Sequence, residues 1–94
     1  MKVSYSGDAD AGPEAAVKLG VLLGRQGNGA GAAAAYRLAI DSGHADWGPV
    51  AAVKLGELLE MQGDTAGAAA AYQLAIDSGN EDVAATAREK LRHL

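Results

Sequence analysis

The sequence contains no cysteine and no phenylalanine, and its aromatic residues are limited to one tryptophan and three tyrosines in 94 residues. Without cysteine, neither a disulfide framework nor a thiolate metal site can form. No apolar run approaches the length of about 20 residues that a transmembrane helix requires, and residues 1–12 are polar and acidic. We therefore expect no membrane span and a cytoplasmic location, where proteins without disulfides are usual.

Positive charge is also scarce. Eight Lys and Arg residues oppose twelve Asp and Glu residues, which gives a net charge of -4. Such a surface repels a phosphate backbone, and no basic stripe with interleaved aromatic residues offsets it. A nucleic-acid partner is therefore not expected. Alanine, by contrast, is abundant, and its small side chain favours a core of closely packed helices.

A repeat of 36 residues dominates the sequence. Between Pro13 and Asp46, 25 of the 34 positions are identical to the residue found 36 positions later. Periods of this length are typical of stacked helical hairpins, in which each unit completes the hydrophobic face of its neighbour. We predict an all-α superhelix, or solenoid, of two helix-turn-helix repeats and a C-terminal capping helix, with five helices in total.

Each repeat carries the signals of two helices, and they are clearest in the second copy. Pro49 suits a first helical turn, and Gly63 followed by Asp64 suits the end of one helix and the N-cap of the next. The second helix is expected to run to Ser78, where Gly79 closes it. Inward positions recur at spacings of three and four residues; they are Ala51, Ala52, Leu55, Leu58 and Leu59, then Ala68, Ala69, Tyr72, Ala75 and Ile76.

The first copy shows the same pattern, with Gly27-Asn28 as its turn. We assign repeat one to residues 13–48 and repeat two to residues 49–81. Ser6-Gly7 aligns with Ser42-Gly43. Residues 1–12 are therefore expected to be the remnant of a preceding repeat or a flexible N-terminal segment.

Residues 82–94 are predicted to form the capping helix. They align with the first helix of a repeat, but Arg88 and Arg92 stand where repeat two has Ala52 and Gly56. The small residues are expected to touch the second helix of the same repeat. Because no second helix follows here, charged residues can face water in their place.

A set of residues that recurs in both copies resembles the tetratricopeptide repeat. It combines Leu-Gly in the first helix, Gly at the turn, Ala early in the second helix, and Tyr followed by Ala. The residues are Leu19, Gly20, Gly27, Ala32, Tyr36 and Ala39, repeated as Leu55, Gly56, Gly63, Ala68, Tyr72 and Ala75. Ala16 and Ala52 stand where this family often has an aromatic residue. The unit is two residues longer than usual, and its alanine-rich second helix is also similar to Sel1-like repeats.

The resemblance implies that the first helices line a concave groove that receives a peptide or protein segment. Transferred by register, the groove residues are Glu14, Val17, Val21, Arg25, Val50, Val53, Glu57, Glu60 and Met61. This surface is apolar and acidic. We expect Glu57 and Glu60 either to attract basic partner residues or to be solvated.

Some family members hold the C-terminal carboxylate of a partner with a lysine on this surface. Val17 and Val53 stand where that lysine would be needed, so we predict no carboxylate clamp. Lys18 and Lys54 follow one residue later and are expected at the groove edge or in solvent.

Groups that could perform catalysis or bind a metal are few. His44 lies near Asp46 between the repeats, and His93 lies more than a full repeat away, so both are expected to be solvated and not to share a metal ion. Glycines between residues 24 and 29 follow a helix and not a strand, which excludes a phosphate-binding loop. We predict no catalytic residue, no cofactor and no metal.

The remaining aromatic residues are assigned mainly to packing. Trp47 is expected to cover the seam between the two repeats; alternatively, it is an exposed aromatic anchor at a partner surface. Tyr36 and Tyr72 are expected to fill the core while their hydroxyl groups reach the surface.

Three hypotheses for function follow. The first is a protein-protein interaction scaffold of the tetratricopeptide type without catalytic activity. The second is self-association into a homodimer or higher oligomer, because two and a half repeats fall short of the about three that such stacks usually need. The third is a regulatory fragment of a larger enzyme. The near-identity of the two copies also permits an engineered or excised origin.

Overall fold

A computed structural model describes residues 11–94, apart from the side chain of Ala11. Within this range every regular element is an α-helix, which confirms the predicted all-α fold with five helices. No helix in the described part of the chain combines the length and the hydropathy that a membrane crossing needs. The helices are α1 (Ala11–Arg25), α2 (Gly29–Asp41), α3 (Trp47–Met61), α4 (Thr65–Ile76) and α5 (Glu81–Arg92).

Each hairpin closes through a glycine and a capping residue. Gly27 and Gly63 both have a φ of 81°, a conformation that glycine adopts readily because it lacks a Cβ. The side chains of Asn28 and Asp64 then each accept the backbone N–H of the third residue along, at 2.8 Å. One helix therefore ends and the next begins within a few residues, as the sequence predicted.

Helices α1 and α3 begin two residues before Pro13 and Pro49, from which the repeats were counted. Proline costs no hydrogen bond there, because the first N–H groups of a helix have no partner within it. Ala11 and Gly12 consequently belong to α1 and not to a segment that precedes the first repeat. The rest of that predicted remnant, residues 1–10, lies outside the described residues.

Helix α4 ends at Ile76 and not at Ser78, where we had predicted its end. The Ser78 hydroxyl donates to the carbonyl oxygen of Ala75 at 2.7 Å, and Gly79 follows with a φ of 90°. A side chain thus satisfies one of the carbonyls that the last helical turn leaves open. The chain can therefore leave the helix earlier than the apolar pattern indicates.

Two tyrosines packed directly onto glycines form the centre of the core. Tyr36 and Tyr72 are both buried. A Cβ added to Gly20 would lie 2.4 Å from Cε1 of Tyr36, and one added to Gly56 would lie 2.5 Å from Cε1 of Tyr72. Glycine therefore allows the first helix of each hairpin to approach the second, and alanines of α2 to α5 fill the space around these pairs.

The hairpins stack with their first helices side by side. Consecutive helices pack against each other, and in addition α1 packs against α3 and α3 packs against α5. Within the described residues, the backbones of the second helices α2 and α4 do not approach each other in this way. The first-helix side of the stack is therefore the narrower side, and α1, α3 and α5 share one shallow concave face.

The two ends of the stack differ in how equivalent residues are covered. Leu55 of α3 is 5% exposed because it packs in the cluster formed with α2, whereas Leu19, its equivalent in α1, is 46% exposed. At the other end, Arg88 and Arg92 of α5 are exposed to solvent, as expected for a capping helix. The outer face of α1 thus exposes an apolar residue whose equivalent in α3 is buried.

Candidate partner-binding groove

One stripe of α3 lines the concave face. Val50, Lys54, Glu57 and Met61 follow one another at spacings of four, three and four residues, which places them on one side of a helix. They border two shallow hollows, one towards α1 and one towards α5. We call these the α1–α3 depression and the α3–α5 depression.

The α1–α3 depression has a volume of about 410 Å³, enough to accommodate a large side chain of a partner. Gly24 has no side chain to fill this space, and Met61, which is 83% exposed, forms part of its rim. The surface is mainly apolar. Its lining residues are Val21, Gly24, Arg25, Tyr36, Lys54, Glu57, Leu58 and Met61.

The α3–α5 depression is smaller, at about 310 Å³. Helix α5 supplies half of its lining, so the capping helix extends the concave face as well as covering the core. The lining residues are Val50, Val53, Lys54, Asp82, Val83 and Thr86.

Glu57 and Glu60, two of the three glutamates predicted on this face, are engaged by side chains of other helices. Glu57 Oε2 lies 2.9 Å from Nζ of Lys90 in α5, and its hydrogen bond and charge raise the pKa of Lys90. Glu60 Oε1 accepts a hydrogen bond from the Tyr72 hydroxyl at 2.9 Å. Glu60 is exposed and lies outside both depressions.

The two cations of the α1–α3 depression have no comparable partner. Across residues 11–94, neither Arg25 nor Lys54 lies within ion-pair distance of a carboxylate. Lys54 lies between the two depressions and lines both. The larger depression therefore combines an apolar surface with two positive charges that no carboxylate of the described chain pairs with.

The two core tyrosines differ at their hydroxyl groups. Burial, together with the hydrogen bond to Glu60, raises the pKa of Tyr72 far above its usual value. In repeat one the position of Glu60 is taken by Gly24, so Tyr36 lacks that acceptor and lies at the depression instead. Burial and the charge of Glu57 also raise the pKa of Tyr36.

The structure brings most of the predicted groove residues together. Val17, however, is 4% exposed and belongs to the core. Its equivalent Val53 is 8% exposed and belongs to the second core cluster, although it borders the α3–α5 depression. Glu14 lines neither depression and pairs with Lys18 at 3.0 Å. The predicted residues that do line the two depressions are Val21, Arg25, Val50, Val53, Glu57 and Met61.

His44 lies in the loop between the hairpins, and Trp47 is the first residue of α3. Trp47 is half-buried and packs against the first core cluster. Nδ1 of His44 accepts the backbone N–H groups of Asp46 and Trp47, each at 3.1 Å, and thereby caps α3. The Asp46 side chain makes no capping bond and accepts a hydrogen bond from Nδ2 of Asn80 at 3.2 Å, which links the two inter-helix loops.

His93 lies at the end of α5, with Nε2 2.7 Å from Oε2 of Glu89. Hydrogen bonds to His93 and Arg92 lower the pKa of Glu89. In the part of the chain that the structure describes, no three acidic or histidine side chains are placed to hold a metal ion.

Lys54 and the contribution of α5 were not predicted as parts of the groove. Lys54 was expected at the groove edge or in solvent, although its spacing from Val50, Glu57 and Met61 indicates a position on the concave face. Nothing in the sequence indicated Val83, because the way α5 settles on α3 depends on packing and not on the helical pattern alone.

No family model, no curated protein and no solved structure matches the chain. The resemblance to tetratricopeptide repeats therefore rests on the residues repeated within the sequence itself.

Proposed function

We propose that the chain is a protein-interaction module without catalytic activity, which binds a peptide or protein segment on the face shared by α1, α3 and α5. The observation that supports this most is the pair of neighbouring depressions along that face. Together they offer apolar surface for a partner's side chains and polar groups for orienting them, a combination typical of binding sites.

The repeat architecture supports the same proposal. Stacked helical hairpins present a continuous surface to which each unit contributes equivalent positions. Here Val21 and Arg25 of α1 are the equivalents of Glu57 and Met61 of α3. All four residues line the same depression. An extended or helical segment lying across the first helices would therefore contact both repeats.

The test is a selection of binding peptides from a randomised displayed library, using the full 94-residue chain. Met61→Glu places a charge on the rim of the larger depression, and we expect it to abolish binding of the selected peptides. Leu38→Glu is the matched control, because Leu38 is also exposed, at 66%, but lies on α2 and lines neither depression. If Met61→Glu bound the peptides as well as Leu38→Glu does, the concave face would not be the binding site.

Self-association is a second candidate function, and the outer face of α1 is the observation that favours it. Leu19 and Leu22 are 46% and 49% exposed, whereas their equivalents Leu55 and Leu58 pack against the first core cluster. A second copy could cover this face through a two-fold contact of α1 with α1, in which the same apolar residues meet.

Sedimentation velocity over a wide concentration range tests this second candidate. We expect a monomer–dimer equilibrium for the unmodified chain and a monomer for the double variant Leu19→Gln and Leu22→Gln. Both residues are exposed, so the variant should retain its helical circular dichroism. An unmodified chain that stays monomeric at every concentration would eliminate self-association.

A further inference from the structure

The charge balance around the α1–α3 depression differs from that of the whole chain. The chain has a net charge of -4, but the depression is lined by two cations, Arg25 and Lys54, and one carboxylate, Glu57. Glu57 is in turn paired with Lys90 at 2.9 Å. The two cations of the lining therefore outnumber its single carboxylate, and that carboxylate is paired with a cation that does not line the depression.

The other nearby carboxylates lie outside the depression. Glu60, one turn after Glu57, does not line it and accepts a hydrogen bond from the hydroxyl of Tyr72. Asp82 lines the neighbouring α3–α5 depression and forms no ion pair with Lys54. Glu57 is thus paired with a cation and Glu60 lies outside the depression, while Arg25 and Lys54 have no carboxylate partner among the described residues.

We infer that the α1–α3 depression selects an acidic protein segment, in which a large apolar side chain is flanked by Asp or Glu. This inference rests on the proposed function and names the chemistry of its partner. The apolar side chain lies against Val21, Leu58 and Met61, and the flanking carboxylates pair with Arg25 and Lys54. Acidic residues within the segment meet this requirement, so no free C-terminal carboxylate is needed.

The shape of the depression agrees with this occupant. At about 410 Å³ it is open to solvent and has room for a single large side chain. A carboxylate on either side of that side chain would find one cation on α1 and the other on α3. Pairing charges at an exposed rim steers encounter and fixes orientation more than it adds affinity.

The same library selection tests the inference when the displayed peptides are joined to the carrier through their C-termini, which removes the free carboxylate. We expect the selected set to be enriched in Asp and Glu beside large apolar residues. Enrichment in Lys and Arg that is lost in Met61→Glu would overturn the inference and leave the proposed function standing. A selection that yields no peptides sensitive to Met61→Glu would overturn both.

Selected peptides, synthesised with amidated C-termini, then test the charge pairs directly. Replacing Asp and Glu in the peptide by Asn and Gln should weaken binding, and so should Arg25→Ala or Lys54→Ala, by about threefold to fivefold for each exposed pair. Arg37→Ala is the control, because it removes an exposed cation from α2, away from the depression. Equal affinity of Arg25→Ala, Lys54→Ala and Arg37→Ala for the acidic peptide would contradict the inference.

The double variant Arg25→Glu and Lys54→Glu reverses both positive charges of the depression and is therefore the most direct test of the inference. Both side chains are at least partly exposed, so circular dichroism should verify an unchanged helix content. The variant should reverse the preference and select basic peptides in the same library. An unchanged preference for acidic peptides would place their recognition elsewhere on the molecule.

Discussion

Gly56 lies so close to the ring of Tyr72 that a Cβ at position 56 would come within 2.5 Å of its Cε1 atom. Tyr72 is also the largest fully buried side chain described, so its ring cannot move aside into solvent. The contact makes glycine a packing requirement in the middle of α3, where its conformational freedom would otherwise weaken the helix.

Gly56→Ala should therefore lower the free energy of unfolding, even though alanine favours helix formation. Overpacking costs about 1–3 kcal/mol, and the gain in helix propensity returns only part of it. Gly24→Ala is the control, because its Cβ would meet nothing closer than 3.9 Å, and it should stabilise the protein by about 0.5–1 kcal/mol. Urea denaturation followed by circular dichroism measures both, and shifts of the same sign would contradict the prediction.

Leu55→Ala and Leu19→Ala should have very different effects on stability. Removing the buried Leu55 side chain is expected to cost about 2–5 kcal/mol, the usual range for a cavity in a core. Removing Leu19, which is 46% exposed, should cost less than about 1 kcal/mol. Chemical denaturation at low protein concentration compares the two. Similar losses would mean that the outer face of α1 is covered in solution.

His44→Ala should destabilise the protein more than Asp46→Ala does. Nδ1 of His44 accepts two backbone N–H groups at the start of α3, and losing a helix N-cap typically costs about 0.5–2 kcal/mol. Asp46 holds the position next to the helix, but its side chain makes no capping bond. Thermal unfolding of the two variants measures the difference, and a larger loss for Asp46→Ala would exclude the histidine cap.

Stability should fall at alkaline pH because of Tyr72. The folded state holds the Tyr72 proton more tightly than the unfolded chain, in which the tyrosine pKa is 10.0. The contribution of Tyr72 to the free energy of unfolding is therefore fully present below pH 10 and is lost as the pH rises above that value. The raised pKa values of Tyr36 and Lys90 act in the same direction.

Tyr72→Phe separates the contribution of Tyr72 from those of Tyr36 and Lys90. This variant should be less stable near neutral pH, because it lacks the hydrogen bond to Glu60, but its stability should decline less steeply at alkaline pH. Urea denaturation at several pH values, combined with tyrosinate absorbance, records both effects. Parallel declines in the two proteins would show that Tyr72 does not contribute.

The fold was predictable because its signals are local and occur twice. The Gly27 and Gly63 turns, their capping residues and the spacing of apolar residues each depend on a few neighbouring positions. The helix starts were less accurate, since Pro13 and Pro49 are compatible with more than one position in a first turn. Ser78 shows the same limit at a helix end, where assigned bounds shift by one or two residues.

The location of the candidate groove could be predicted from the sequence, but the pairing of its charged side chains could not. Register placed Glu57 on the concave face correctly, yet only the three-dimensional structure brings Lys90 to it from 33 positions further along the chain. Val17 was misplaced because neighbouring positions on a helix can face the core and the surface, and alanine-rich sequence gives little contrast between them. Partners that are distant in sequence leave no periodic signal.

The two arginines of α5 determine the direction in which this stack can be lengthened. A further second helix docked on α5 would meet Arg92 where Gly56 admits the ring of Tyr72, and Arg88 where Ala52 is buried. Restoring alanine and glycine at these two positions would therefore be the first requirement for extending the protein at this end. With Arg88 and Arg92 in place, a further hairpin could be added only beside α1. There Leu19 and Leu22 form an exposed apolar surface that such a hairpin would bury.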